Sequence, residues 1–174
     1  IGLKKKIRPI NRLDFHTSGL CVFAKCEYIQ EMLSKEMISH DFVKEYTCIV
    51  EGFLSSKEGQ LSFPIARKPS SIIEREVPAD GHGQMSITNY RVLKEFKDDS
   101  GNKYSLVRCV LETGRTHQIR VHFSHIGHPL LGDSLYGNAS VLVPGQALCC
   151  TKLAFFHPIS NEEICFEIPF PVSY

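Results

Sequence analysis

"MSITNYRVLKEF" (residues 85–96), "DDSGN" (98–102) and "KYSLVRCVLET" (103–113) form the stretch on which the fold turns. Two runs rich in β-branched and aromatic residues flank a polar segment that contains glycine. That pattern predicts an antiparallel hairpin. A short connection of this kind cannot serve a parallel pair, which needs a long crossover.

Outward from the hairpin, "KEYTCIVEG" (44–52) alternates around Tyr46, Cys48 and Val50 and is closed by Gly52, as a strand is. "LCVFAK" (20–25) reads as a short strand after a turn at Gly19. "ALCCTKLAFFHP" (147–158) and "EEICFEIPF" (162–170) read as closing strands. "EYIQEMLSKEMIS" (27–39) sets Ile29, Met32, Leu33 and Met37 near helical spacing, which predicts an amphipathic helix. Thr116 is placed to cap a second helix beginning near His117. Ile119, Phe123 and Ile126 would line its buried face, and Gly127 with Pro129 would end it. The Pro-, Ser- and Gly-rich region 53–84 is expected to form loops and short strands, as a mobile arm over the site. Strands dominate and their connections are hairpin-like. The expectation is an α+β fold, a mainly antiparallel mixed sheet with flanking helices, in one domain over residues 1–174.

The 174 residues are 43% hydrophobic and 22% charged, enough to bury a real core. The net charge of +1 does not by itself announce a nucleic-acid binder, although a local basic groove is compatible with it. The densest basic run is "LKKKIR" (3–8), with Lys4, Lys5, Lys6 and Arg8. The seven cysteines are odd in number and lack paired CxxC spacing, which suits a reducing, cytoplasmic setting. No apolar run has the length of a membrane span.

Several chemistries lack their sequence marks. His117, His122, His125 and His128 crowd one segment, but their spacing fits no zinc pattern, so no metal is expected. No GxSxG, Walker loop or GxGxxG occurs. No pair of acids is marked for glycosidase work. What remains is Asp14, between Leu13 and Phe15, with Arg12, Arg115 and Arg120 as candidate partners. A carboxylate among apolar groups tends to take up a proton, and a guanidinium opposes that. From spacing alone, a structural ion pair at a turn explains these residues at least as well as catalysis does.

A resemblance shifts that balance. "NRLDFHTSGLCVFAK" (11–25) resembles the signature of RluA-type pseudouridine synthases. "KEYTCIVEG" is similar to that family's Lys-x-Tyr strand. "LETGRTHQIRVHFSHIGHPLLGDSLYG" (111–137) is similar to its third motif, and "ALCCTKLAFFHP" to its closing strand. The four blocks occur in the family's order. The resemblance implies an RNA-modifying isomerase that converts uridine to pseudouridine, with no cofactor and no metal. It implies a catalytic role for Asp14 on the ribose of a flipped-out nucleotide, by attack at C1′ or removal of the 2′ proton. It implies that Tyr46 stacks on the uracil and helps to take the C5 proton, that Arg115 pairs with Asp14, and that Arg12 fills the gap left by the nucleotide. Arg12, Lys44, His117 and Arg120 are expected to contact RNA, either ribosomal or transfer RNA, in a monomeric protein.

Three departures stand out. Asn11 replaces the family's usual His, Cys149 stands where a His is common, and Lys152 is near the place of an Arg. The family's first motif, before Arg12, is absent, so the expectation is an N-terminally incomplete catalytic domain. No S4-type RNA-binding domain is expected. The rival expectation is a non-catalytic RNA-binding module, or an inactive fragment of such an enzyme.

Overall fold

The computed structural model describes residues 6–39 and 41–171; Lys4 and Lys5 of the basic run lie outside them. In chain order the elements are β1 (Arg8–Pro9), β2 (Ser18–Gly19), β3 (Phe23–Ala24), α1 (Glu27–Ser39), β4 (Val43–Glu51), β5 (Glu58–Arg67) and β6 (Arg75–Glu76). They continue with β7 (Gln84–Lys97), β8 (Lys103–Leu111), α2 (Gln118–His125), β9 (Leu148–Phe156) and β10 (Glu163–Glu167). The main sheet runs β10-β9-β4-β8-β7-β5-β6 and these neighbours pair antiparallel. β2 adds a short parallel pairing to β9, so the sheet is mixed. β1 and β3 form a separate two-stranded ribbon.

The hairpin is present as β7 and β8. Its turn closes because the Asp98 carboxylate accepts from the Ser100 and Asn102 amides at 3.0 and 2.9 Å. β4 lies between β8 and β9, and residues 44–50 are buried. Tyr46, Cys48 and Val50 join the larger core, with Leu33 of α1 and Ile119 and Phe123 of α2. Ile49 joins a smaller core on the other face with Tyr104, Leu106 and Leu131. The two helices therefore pack on the Tyr46 face.

Three expectations change. Region 53–84 holds one long strand besides its loops and the short β6: β5 pairs with β7 from Glu58↔Arg91 to Ile65↔Gln84. Leu61, Phe63 and Ile65 carry the alternation, and Pro64 is tolerated because the far side of β5 pairs with β6 only at Ala66 and Arg67. "LCVFAK" yields only the two residues of β3. The Val22 amide next to it is satisfied by the Asn11 side chain rather than by a sheet partner. Thr116 is not the cap of α2. His117 holds that position, at φ 58°, without a side-chain cap.

The histidine cluster disperses. His128 Nδ1 lies 2.8 Å from the Glu51 carbonyl, and His125 packs edge-on against Phe63. His122 is wholly buried, also edge-on to Phe63, and neither ring nitrogen meets hydrogen-bond geometry. Burial pulls its pKa down to about 4; the Phe63 backbone opposes the shift and the nearby His125 reinforces it. Below about pH 6.5 the unfolded chain takes up this proton while the folded chain does not, so stability falls with pH until about pH 4. His122→Leu removes this contribution. Between pH 7 and pH 4 the wild type should lose on the order of 3 kcal/mol more than the variant, measured by urea denaturation. Equal losses would contradict the assignment.

Candidate active site

The loop that carries Asp14 is held at both ends. Asn11 is 3% exposed; its side chain donates to the Leu20 carbonyl at 3.1 Å and accepts from the Val22 amide at 2.8 Å. Downstream, Gly19 lies at φ 114°, and a Cβ there would sit 2.4 Å from the Cys150 carbonyl oxygen, so only glycine allows β2 to meet β9. The Thr17 amide donates to the Asp14 carbonyl at 2.9 Å, which closes the turn between these anchors. Gln146 donates to Thr17 Oγ1 at 3.1 Å and ties the turn to the start of β9. The expectation of a carboxylate walled by Leu13 and Phe15 is corrected here: Phe15 is 84% exposed. Phe15 lies against His16 instead, ring edge to ring face.

Asp14, Arg12, Lys44, Tyr46 and Arg115 all line one cleft of about 360 Å³. Tyr46 forms a buried wall of it, next to a bulge where β9 holds an extra residue opposite Glu45 and Tyr46. Burial raises the Tyr46 pKa, with contributions from Cys150 and Asp14, so its hydroxyl is uncharged at neutral pH. Lys44, expected at RNA phosphates, is buried in the cleft wall, and a Cβ on Gly114 would lie 3.5 Å from its ammonium. Burial lowers its pKa.

The partner of Asp14 differs from the expected one. Arg115 is exposed in the turn before α2 and makes no ion pair among the described residues. Arg120 takes that place: its Nη1 lies 3.8 Å from Asp14 Oδ2, with side-chain exposures of 6% and 26%. Its position inside α2, among the residues that face the sheet, accounts for this. The same burial removes Arg120 from the expected RNA contacts. Its other nitrogens, Nε and Nη2, donate to Asp133 at 2.7 and 2.8 Å. Burial opposes the charge, but the Asp133 bond and the charges of Asp133 and Asp14 raise its pKa.

Tyr136 completes the support. Its ring lies 5.0 Å from the Arg120 guanidinium. Its hydroxyl accepts from the Arg75 amide at 2.8 Å and lies 2.7 Å from His117 Nδ1. Burial pushes the Tyr136 pKa up to about 12. His117, expected at RNA, is half-buried against this hydroxyl; burial lowers its pKa, Asp14 opposes the shift, and Arg120 and Arg75 reinforce it. The "THQ" turn is fixed by Gln118. Its Oε1 accepts from the Thr113 hydroxyl and the Arg115 amide at 2.8 and 3.0 Å, and its Nε2 donates to Ile87 O at 3.0 Å. Sequence spacing does not single out Asn11, Asp133 or Tyr136 as site residues. Their signal lies in motif blocks whose spacing does not say which side chains meet.

With this geometry in hand, a family model described as RNA pseudouridylate synthase matches residues 2–125. The chain belongs to that family. An uncharacterized RNA pseudouridine synthase of Bacillus subtilis (strain 168) is 43% identical over 166 residues, covering 95% of this chain and 53% of the relative. The ribosomal large subunit pseudouridine synthase D of Zymomonas mobilis is 37% identical over 181 residues, covering 98% and 55%. The solved human RNA pseudouridylate synthase domain containing 1 superimposes with a TM-score of 0.82 at 26% identity, covering 95% of this chain and 70% of that one. The chain spans about half the length of the curated relatives it matches. The α+β fold expected from sequence is thus that of the pseudouridylate synthase domains. Among the described residues no helix is long and apolar enough to cross a membrane, and no group of three or more His, Cys, Asp or Glu is arranged to hold a metal ion.

In this pseudouridylate synthase chain, Asp133→Ala would leave the Arg120 charge buried with its main partner gone. A loss of about 3–5 kcal/mol of unfolding free energy is expected from urea denaturation. A loss below about 1 kcal/mol would show that the pair does not hold Arg120 in place.

Proposed function

We propose that this chain carries the catalytic centre of an RNA uridine-to-pseudouridine isomerase, with Asp14 acting on the ribose. The observation that carries this reading is the position of Asp14 in a cleft that Tyr46 also lines, 3.8 Å from a buried arginine. The isomerisation breaks the N1–C1′ bond, rotates the uracil, joins C5 to C1′ and releases the C5 proton, while N1 takes up a proton. A stacked strand hides C1′, so the nucleotide must leave the stack to reach an acid inside a cleft. Asp14 then either attacks C1′ as N1 leaves and is later displaced by C5, or removes the 2′ proton as N1 leaves and returns it when C5 joins C1′. Arg120 supplies a fixed positive charge beside the carboxylate in either case. Tyr46 offers the uracil a flat, uncharged surface against which it turns. Arg12 is exposed at the cleft mouth and takes the space the nucleotide vacates. Lys44, inside the cleft, meets the phosphate or sugar of the bound nucleotide. Ribosomal RNA is the favoured substrate class, since several relatives are named large-subunit enzymes.

Asp14→Asn preserves size and removes the charge. Pseudouridine formation should fall below detection in a tritium-release assay on uracil-5-labelled RNA. RNA binding should stay within a few-fold, and stability within about 1 kcal/mol, because the side chain is partly exposed. Wild-type release rates from the variant would refute the role of Asp14. Absence of release from the wild-type full-length protein would instead favour a non-catalytic RNA-binding protein.

A further inference from the structure

The chain has eight arginines. Four are ion-paired: Arg8 with Glu27, Arg91 with Glu58, Arg108 with Glu45, and Arg120 with Asp133. The other four, Arg12, Arg67, Arg75 and Arg115, have no carboxylate partner among the described residues. All four line a second cleft, of about 430 Å³. No acidic side chain lines it. Four cations gathered without an anion repel one another, and nothing in the cleft offsets that cost. A bound polyanion would.

Ile65, Ala66 and Gly83 also line the cleft, and Gly83 packs so closely on β5 that a Cβ there would sit 2.8 Å from the Ile65 carbonyl oxygen. This second cleft adjoins the Asp14 cleft, because Arg12, Gly114, Arg115 and Thr116 line both. Arg75 is pinned from behind: its amide donates to Tyr136, whose ring supports Arg120. Its Nη1 donates to the Ile73 and Glu74 carbonyls at 3.1 Å each, which fixes the direction of the guanidinium. The strand end that carries Arg67 and Arg75 is thereby tied to the group that holds Asp14.

We infer that this second cleft binds the sugar–phosphate backbone of the RNA strand flanking the reacting nucleotide, with Arg67 and Arg75 as its phosphate contacts. The inference rests on the RNA reading above and adds the path of the strand: out of the Asp14 cleft, past Arg12 and Arg115, and along the β5–β6 edge. Guanidinium forks suit phosphate oxygens, and such contacts give affinity without reading sequence.

The test uses a fluorescent, uridine-containing RNA stem-loop and the full-length protein, titrated across KCl concentrations. Removing one phosphate-binding cation should reduce the slope of log affinity against log salt by about 0.7–0.9. Arg67→Gln/Arg75→Gln removes two such cations, with a roughly tenfold or greater weakening near 0.1 M salt. KM for pseudouridine formation should rise by a similar factor while kcat holds. Arg67→Lys/Arg75→Lys should keep most of the slope, which separates an effect of charge from an effect on the fold. Arg91→Gln, outside the cleft, should leave the slope as it is. A Gln pair with wild-type slope and KM, or an Arg91→Gln variant with the same weakening, would overturn the inference while leaving the activity standing. A wild type that binds with this slope but forms no pseudouridine would overturn the activity and keep the cleft. Binding of an acidic peptide in place of RNA, abolished in the same Gln pair, would overturn the assignment to nucleic acid.

Discussion

Arg120 holds a full charge at a buried position, and its bidentate bond to Asp133 is what stabilises that charge there. Once two of the guanidinium nitrogens are fixed, the third can point only toward Asp14. Asp133 is itself 1% exposed, and its Oδ1 accepts from the Leu135 amide at 3.1 Å. The loop after α2 is thus folded around the same carboxylate that orients the helix. Packing, loop shape and the electrostatics of the cleft meet in one ion pair, so a change at Asp133 reaches all three.

The Asp14 loop shows the opposite strategy. It has almost no regular structure, yet its path is set by Asn11 at one end and by the glycine contact between β2 and β9 at the other. Asn11 serves two backbone groups that a longer strand would have satisfied. A family-typical His at this position presents different donors at different reach, so the substitution bears on how the loop is held rather than on the acid itself. Short anchors of this kind leave Asp14 partly open to the cleft while restricting its motion.

Charge is distributed by task. Acids pair with the arginines that support the fold, and the unpaired arginines gather along one edge beside the cleft. A net charge of +1 conceals this, because a sum over the chain carries no positions.

The strand and helix periods are legible in sequence wherever one face is apolar: α1 spans Glu27–Ser39, as its spacing predicts, and the 85–113 hairpin forms as β7 and β8. The motif blocks point to Arg12 and Asp14 in one local pattern and to Tyr46 in another. β5 escapes sequence reading because Pro64 and its Ser- and Gly-rich surroundings mask a real alternation, and only an edge position makes that proline harmless. The choice between Arg115 and Arg120 is also out of reach. Both stand in "GRTHQIR", and spacing does not reveal where the left-handed residue His117 ends the turn and starts the helix. That single backbone choice sends Arg115 to solvent and Arg120 inward. Local residue patterns determine which elements form; which side chains meet depends on how those elements pack, and that only the tertiary structure decided.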